Sequence, residues 1–256
     1  MLNFFRKIRQ KLLSDSNFSK YLIYAIGEII LVVIGILIAL QINNWNTERV
    51  NRSQEIQYLK SLKTDFLETK INLESTLERQ ERTVEYCKLL IKEMRQKNLQ
   101  IQPDSLGEYL YRGAFSYWRV EPVSGTYDAL IGSGNITLIT NQKLIQYLAK
   151  FSSEVSFGFE DEQMAVDLTS NLVKISSDYS YNVFPQSLYF YLDWESQLAS
   201  SNDLQDVVRQ HMSNDSFLSA LIMKTGLENN RLDYQTALKK LTEDILEELD
   251  RELDLR

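Results

Sequence analysis

Three patterns of apolar and polar positions follow one another along this chain: a short apolar-basic leader, an unbroken apolar run, and long stretches in which apolar residues recur every three or four positions. The run is YLIYAIGEIILVVIGILIALQI, Tyr21 to Ile42. As a helix it would be about 33 Å long at 1.5 Å per residue, close to the roughly 30 Å of hydrocarbon in a bilayer. It is apolar around its whole circumference, as core helices of soluble proteins rarely are. The pattern predicts one transmembrane helix. Tyr21 and Tyr24 at one end and Trp45 just past the other are the expected interface anchors, because amphipathic rings favour the headgroup level.

From about Thr47 to Lys97 there is no Gly or Pro. Leu59, Leu62, Phe66, Leu73, Leu77, Val84, Cys87, Ile91 and Met94 form a stripe in steps of mostly three or four. The steps 66–73 and 77–84 are longer, and polar residues fill the seam there. This spacing predicts a long amphipathic helix continuous with the transmembrane one. From about Asp215 to Leu253, the stripe Tyr234, Leu238, Leu241, Ile245, Leu249, Leu253 predicts a second long helix. Asn214, Asp215 and Ser216 are its candidate N-caps, and Gly226 is a possible break or kink. Two long helices with one apolar face each are expected to pack antiparallel.

Shorter elements lie between them. Asp104 is expected to cap SLGEYLYRGAF and Thr126 to cap TYDALIGSG, which Gly132 and Gly134 should end. NITLITN is β-branched and reads as a small strand or an extended crossing. Asn141 opens a mostly helical stretch that Pro185 stops, with a disturbance expected at Gly158. QSLYFYLDW and NDLQDVVRQHM supply one or two further short helices. The predicted fold is all-α: a basic amphipathic segment over 1–20, a transmembrane helix over 21–42, and an elongated helical bundle over 43–256 with long antiparallel first and last helices.

Charge gives this layout a direction. Arg6, Lys7, Arg9, Lys11 and Lys20 face only Asp15 in the leader, whereas the whole chain carries a formal charge of −7. Phe4, Phe5, Ile8 and Leu12 share one helical face of that leader, and the basic residues suit anionic headgroups. Only Arg49 and Arg52 follow the span closely. The positive-inside rule therefore predicts a cytoplasmic N-terminus and a body on the other side of the membrane. A cleaved signal peptide would have a shorter apolar core and a small-residue cleavage site; NNWNTERV follows instead, so an uncleaved signal anchor is expected. An acidic body beside an apolar span also argues against nucleic acid as a partner.

Glu28 is the one charge inside the run. Glu28, Gly35 and Ala39 share a face, and Gly35 with Ala39 makes a small-xxx-small pair that lets helix backbones approach closely. Helix association or protonation with a partner subunit is one expectation for this face; a glutamate that snorkels or stays protonated is the other. The remaining chemistry is sparse. With one His and one Cys, a two-His metal site or a His-based triad within one chain is excluded. Cys87 falls on an apolar stripe and is expected in the core. No phosphate-binding loop or nucleophile elbow occurs, and the acidic run Glu160, Asp161, Glu162 reads as solvated surface. No cofactor is expected. Two aromatic clusters remain, one including Tyr117 and Trp118 and the other Tyr189, Tyr191 and Trp194. They either form a recognition surface or cap the bundle at its membrane-distal end.

The block FFRKIRQKLL…FSKYLIYAIGEIILVVIGILIALQINNWN over residues 3–46 resembles a family of bacterial membrane-anchored proteins known only as a domain of unknown function. TYDALIGSGNITLITNQKLIQYLAKF resembles that family's aromatic–Asp–Ala–Leu turn, small-residue break and crossing into a helix. The resemblance implies an inner-membrane protein of Gram-negative bacteria and supplies no activity or catalytic residue. The expected function is thus non-enzymatic: a single-pass protein whose periplasmic helical domain contacts the lipid bilayer's other proteins or its own copies. The alternatives are a ligand sensor with a small molecule near the aromatic clusters, and a subunit of an ion-coupled complex that uses Glu28.

Overall fold

The computed structural model describes residues 18–158, 162–176 and 201–254, and these residues form helices and connecting segments without a strand. The chain divides into two units, one ending at Gln57 and one beginning at Tyr58. A single helix, α1, runs unbroken from Phe18 to Arg95, so the apolar run and the first amphipathic stripe are one continuous helix, as their spacing predicts. The leader before Phe18 lies outside the described residues.

Within the first unit the apolar run is uncovered. Ile23 is 67% exposed and Leu31 74% exposed, and no part of the most apolar window is buried. Apolar surface left in this state costs roughly 25 cal/mol per Å² in water, so the run calls for a non-aqueous surrounding.

The second unit is built on α1 and α7 (Asp215–Asp254). They lie antiparallel: Lys63 pairs with Asp250 at 2.6 Å, Lys70 with Glu243 at 3.4 Å and Glu74 with Lys239 at 3.3 Å, the residue numbers rising on one helix as they fall on the other. Such half-exposed pairs contribute only about 0.2–1 kcal/mol each; the apolar stripes hold the helices together. α4 (Gln142–Phe157) completes a first core, in which Leu59, Leu62 and Phe66 meet Leu144, Leu148 and Phe151 and the α7 residues Leu238, Leu241, Ile245 and Leu249. Phe66 and Phe151 pack edge to face at 5.0 Å. A second core gathers Cys87, Leu90 and Met94 of α1, Leu106 and Leu110, Leu172 of α5 (Glu162–Ser176), Val207, Val208 and Met212 of α6 (Ser201–Met212), and Phe217 and Leu221 of α7.

The caps follow local chemistry. The Asn141 side chain accepts from the Leu144 amide at 3.0 Å and opens α4, and Asn214 accepts from the Phe217 amide at 2.9 Å and opens α7. Two expected caps are displaced. α2 (Pro103–Glu108) starts after Gln102, with Pro103 at the first position, where a missing N–H costs nothing, so Asp104 already lies inside the first turn. α3 (Gly125–Gly132) starts after Ser124, and Thr126 is likewise inside it. Its amide is satisfied by Asp65 of α1 at 2.9 Å, which makes a cap by Thr126 itself unnecessary. α3 ends where expected, with Gly134 in the left-handed region at φ 73°.

NITLITN is neither strand nor extended throughout: Asn135–Leu138 is a 3-10 turn. A lone β-branched run with no neighbouring strand has no ladder to join, and the turn lets Ile139 enter the first core. SLGEYLYRGAF begins as α2 and widens into a π-helix over Tyr109–Ala114. There Gly113 lies flat on α1: a Cβ at this position would come within 2.9 Å of Tyr86 Cβ and 3.0 Å of the Cys87 backbone nitrogen. The expected disturbance at Gly158 is the end of α4. Gly226 does not break α7, and a Cβ there would meet nothing within 4 Å.

The two glycines therefore give opposite predictions. Gly226→Ala should stabilise the second unit by about 0.5–1 kcal/mol, the helical cost of glycine. Gly113→Ala should destabilise it by about 1–3 kcal/mol, because the added methyl meets backbone that cannot move aside. Urea denaturation of the full chain in detergent would measure both.

Candidate functional site

Between the two cores, both long helices turn polar on their inner faces. On α1 the buried polar residues are Gln80 and Thr83, beside Leu77 and Val84; on α7 they are Lys224, Thr225, Glu228, Arg231 and Gln235. The α7 positions 224, 228, 231, 235 step by four, three and four and continue directly into Leu238. They occupy the same stripe as the apolar core. The reason lies in the segment Ser116–Ser124, which has no regular secondary structure and crosses this seam.

A segment without regular structure that packs against helices has no ladder for its peptide groups, and each group left unpaired away from water costs free energy. Here side chains supply the partners. Lys224 Nζ donates to the Ser116 carbonyl at 2.6 Å, and Arg231 Nη2 donates to the Trp118 carbonyl at 2.8 Å. The Val120 amide donates to Gln235 Oε1 at 2.9 Å, the Val123 amide to Thr69 Oγ1 at 2.9 Å, and Asn72 Nδ2 donates to the Glu121 carbonyl at 3.4 Å. Pro122 has no amide to satisfy. Thr83 Oγ1 anchors the upstream end by donating to the Arg112 carbonyl at 3.0 Å.

Glu228 balances the two cations. Its Oε1 accepts from Lys224 Nζ at 2.7 Å, its Oε2 accepts from Gln80 Nε2 at 2.6 Å, and Arg231 Nε stands 3.7 Å from Oε2. Gln80 also donates to the Glu228 carbonyl at 2.9 Å. Two buried amide atoms in the seam, Gln80 Oε1 and Gln235 Nε2, have no hydrogen-bond partner. Cys87 borders this charge: burial pushes its thiol up to about 11, with Lys224 pulling the other way. It is a core residue, as its place on the stripe predicts.

The sequence-predicted residues fall in three places. Glu28, Gly35 and Ala39 lie on the uncovered part of α1, with Tyr24 and Trp45 exposed near its ends, and a Cβ at Gly35 would meet nothing within 4 Å. Tyr117 and Trp118 sit on the extended segment between the two cores, not at an end of the bundle. The Trp118 indole N–H donates to Thr83 Oγ1 at 3.2 Å and its ring lies 4.9 Å under the Arg79 guanidinium, while Tyr117 covers Arg231 at 5.4 Å. The Trp118 N–H and both rings meet residues of the seam, while Tyr117 remains partly exposed. Tyr21's side chain and the cluster with Tyr189, Tyr191 and Trp194 lie outside the described residues, as do Glu160 and Asp161; Glu162 pairs with Arg119. His211 is buried in the second core, with Nδ1 3.2 Å from the Val207 carbonyl and its ring edge to face with Phe217. Among the described residues no three His, Cys, Asp or Glu side chains gather as a metal site would require.

Residues 28–154 match the model of a family of unknown function (DUF6090). The matched segment starts inside the apolar run and takes in the rest of α1, the extended segment and nearly all of α4. It contains Thr69, Gln80 and Thr83 but none of the α7 residues that complete the seam. No curated protein and no solved structure matches the chain.

The seam itself is what sequence reasoning missed. Its signal was present in the long steps 66–73 and 77–84, which hold Thr69, Asn72, Gln80 and Thr83. It was also present in the charged residues that keep core spacing along α7.

Breaking the seam's balance should be costly. Glu228→Leu leaves Lys224 and Arg231 buried without their anion and should cost about 3–5 kcal/mol; Gln235→Leu orphans the Val120 amide and should cost about 1–3 kcal/mol. Chemical denaturation would rank them. His211 gives a pH dependence. Burial lowers its folded-state pKa to about 4 from an ordinary 6.5, so the unfolded chain takes up the proton first as pH falls. Its contribution is complete above pH 6.5 and drains away towards pH 4, on the order of 3 kcal/mol in all. Stability measured at pH 7.5, 6 and 5 should fall less steeply in His211→Leu than in the parent.

Proposed function

We propose that this is a non-enzymatic, single-pass inner-membrane protein of bacteria. Its basic N-terminus lies in the cytoplasm, and its helical body works in the periplasm by binding a membrane-protein partner or a second copy of itself. The observation that carries this reading is the uncovered apolar part of α1. Among the described residues one helix is long and apolar enough to cross a membrane, and none of its most apolar window is buried by the others. A core helix of a soluble protein would be covered by its own fold. The orientation rests on the leader's basic residues against the two that follow the span.

The reading of the body as an interaction module rests on how its polar groups are used. The buried cations and the carboxylate of the seam are bonded to one another and to main chain, which is a structural employment. Gly35 and Ala39, on one face with Glu28, are small enough to let another helix approach closely, and a Cβ at Gly35 would meet nothing within 4 Å among the described residues.

Topology is tested by single cysteines in a Cys87→Ala background, probed on intact cells permeable only across the outer membrane. Ser53→Cys should react with an impermeant maleimide and Ser14→Cys should react only after the inner membrane is opened; the reverse pattern would discard the orientation. Association through the span is tested by Gly35→Ile with Ala39→Ile, which should reduce crosslinked or co-isolated species at least about fivefold, a coupling of roughly 1 kcal/mol. An unchanged yield would remove that face from the proposal while leaving the topology result intact.

A further inference from the structure

The body has two separate apolar cores, and the layer between them is the most hydrophilic part of its interior. From this arrangement we infer that the second core, with the α1 and α7 segments that line it, opens as a unit while the first core stays closed, and that the buried seam is the plane at which the body parts.

Three observations converge on the plane. First, the seam holds Lys224, Glu228 and Arg231 between two clusters whose members are all apolar. Charges removed from water recover hydration when a gap opens, whereas parting either core would expose only hydrocarbon. Second, Gln80 Oε1 and Gln235 Nε2 are buried without partners. Parting at this level therefore breaks no hydrogen bond of these two atoms. Third, the extended segment is held there by side chains from both long helices, with no ladder that must be unzipped in order. Release at the Lys224 and Arg231 end leaves the bonds to Thr69 and Asp65 in place. The first core keeps α4 and the lower halves of α1 and α7, including Phe66 against Phe151. Opening of this kind is sub-global, and segments that change shape on binding come from such low-stability units.

The chain's single cysteine is a built-in reporter. Cys87 is fully buried in the second core beside the seam, so a thiol reagent reaches it only through opening. Its labelling rate in the full-length protein, in detergent and at low reagent where reclosing outruns reaction, should exceed at least about tenfold that of Leu148→Cys in a Cys87→Ala background. Leu148 lies in the first core, and the space left by its substitution can only speed its own labelling, so the comparison is weighted against the proposal. Ile245→Val, a mild change in the first core, should speed labelling at position 148 by roughly twofold to tenfold and leave Cys87 unchanged. Hydrogen exchange of the unmodified chain gives a measurement that needs no variant: amides of 217–225 should exchange at least about tenfold faster than those of 238–249. Equal labelling of the two thiols, equal acceleration of both by Ile245→Val, or one common exchange rate along α7 would each overturn the proposal.

Discussion

A peptide segment that crosses a helical bundle without regular secondary structure must have its buried N–H and C=O groups met by something other than a sheet or its own helix. In this protein that demand falls on the inner faces of α1 and α7. Lysine, arginine and glutamine side chains reach from one helix, threonine, asparagine and aspartate from the other, and the segment between Ser116 and Thr126 lies bonded to both. Each helix therefore gives up apolar positions that its stripe would otherwise fill. The interior cannot then be one continuous core, and Glu228 becomes necessary, since two cations serving carbonyls need an anion beside them. The antiparallel register of the long helices is fixed by the same bonds, because a shift by one turn would unmatch Gln80 from Glu228 and Gln235 from Val120.

The elements that rest on periodicity were legible in the chain. α1 and α7 follow from three- and four-residue apolar steps, their antiparallel packing from each having one such face, and the starts of α4 and α7 from Asn141 and Asn214, whose side chains accept amide hydrogens three residues on. Elements decided by tertiary contact were not legible. The first residues of α2 and α3 depend on Pro103 and on Asp65 reaching across from α1. The 3-10 turn at Asn135 stands where a strand is expected, and no partner strand lies among the described residues. The π-helix depends on how closely Gly113 must approach the α1 backbone.

The candidate sites divide in the same way. A carboxylate and two small residues within an apolar run are visible as letters, and so is the run's length. The seam is invisible if polar residues are taken as surface by default, as the charges of an acidic chain invite. Lys224, Glu228, Arg231 and Gln235 differ from solvated residues only in their phase, which is that of Leu238 and Leu241. The aromatic pair takes its place from tertiary contacts: the rings of Tyr117 and Trp118 lie against Arg231 and Arg79 on the crossing segment, and Tyr117 stays 37% exposed.

The span of the family match acquires a meaning from the crossing segment. Residues 28–154 contain that segment and one of the two helices that bond it; the other helix begins sixty residues later, at Asp215. A polypeptide cut to the matched boundaries would present bare carbonyls at Ser116 and Trp118 and an idle amide at Val120, with half of each core stripped of its opposing wall. The folded body of this chain is thus larger than the stretch that similarity outlines, because its last helix brings the side chains that bond these three peptide groups.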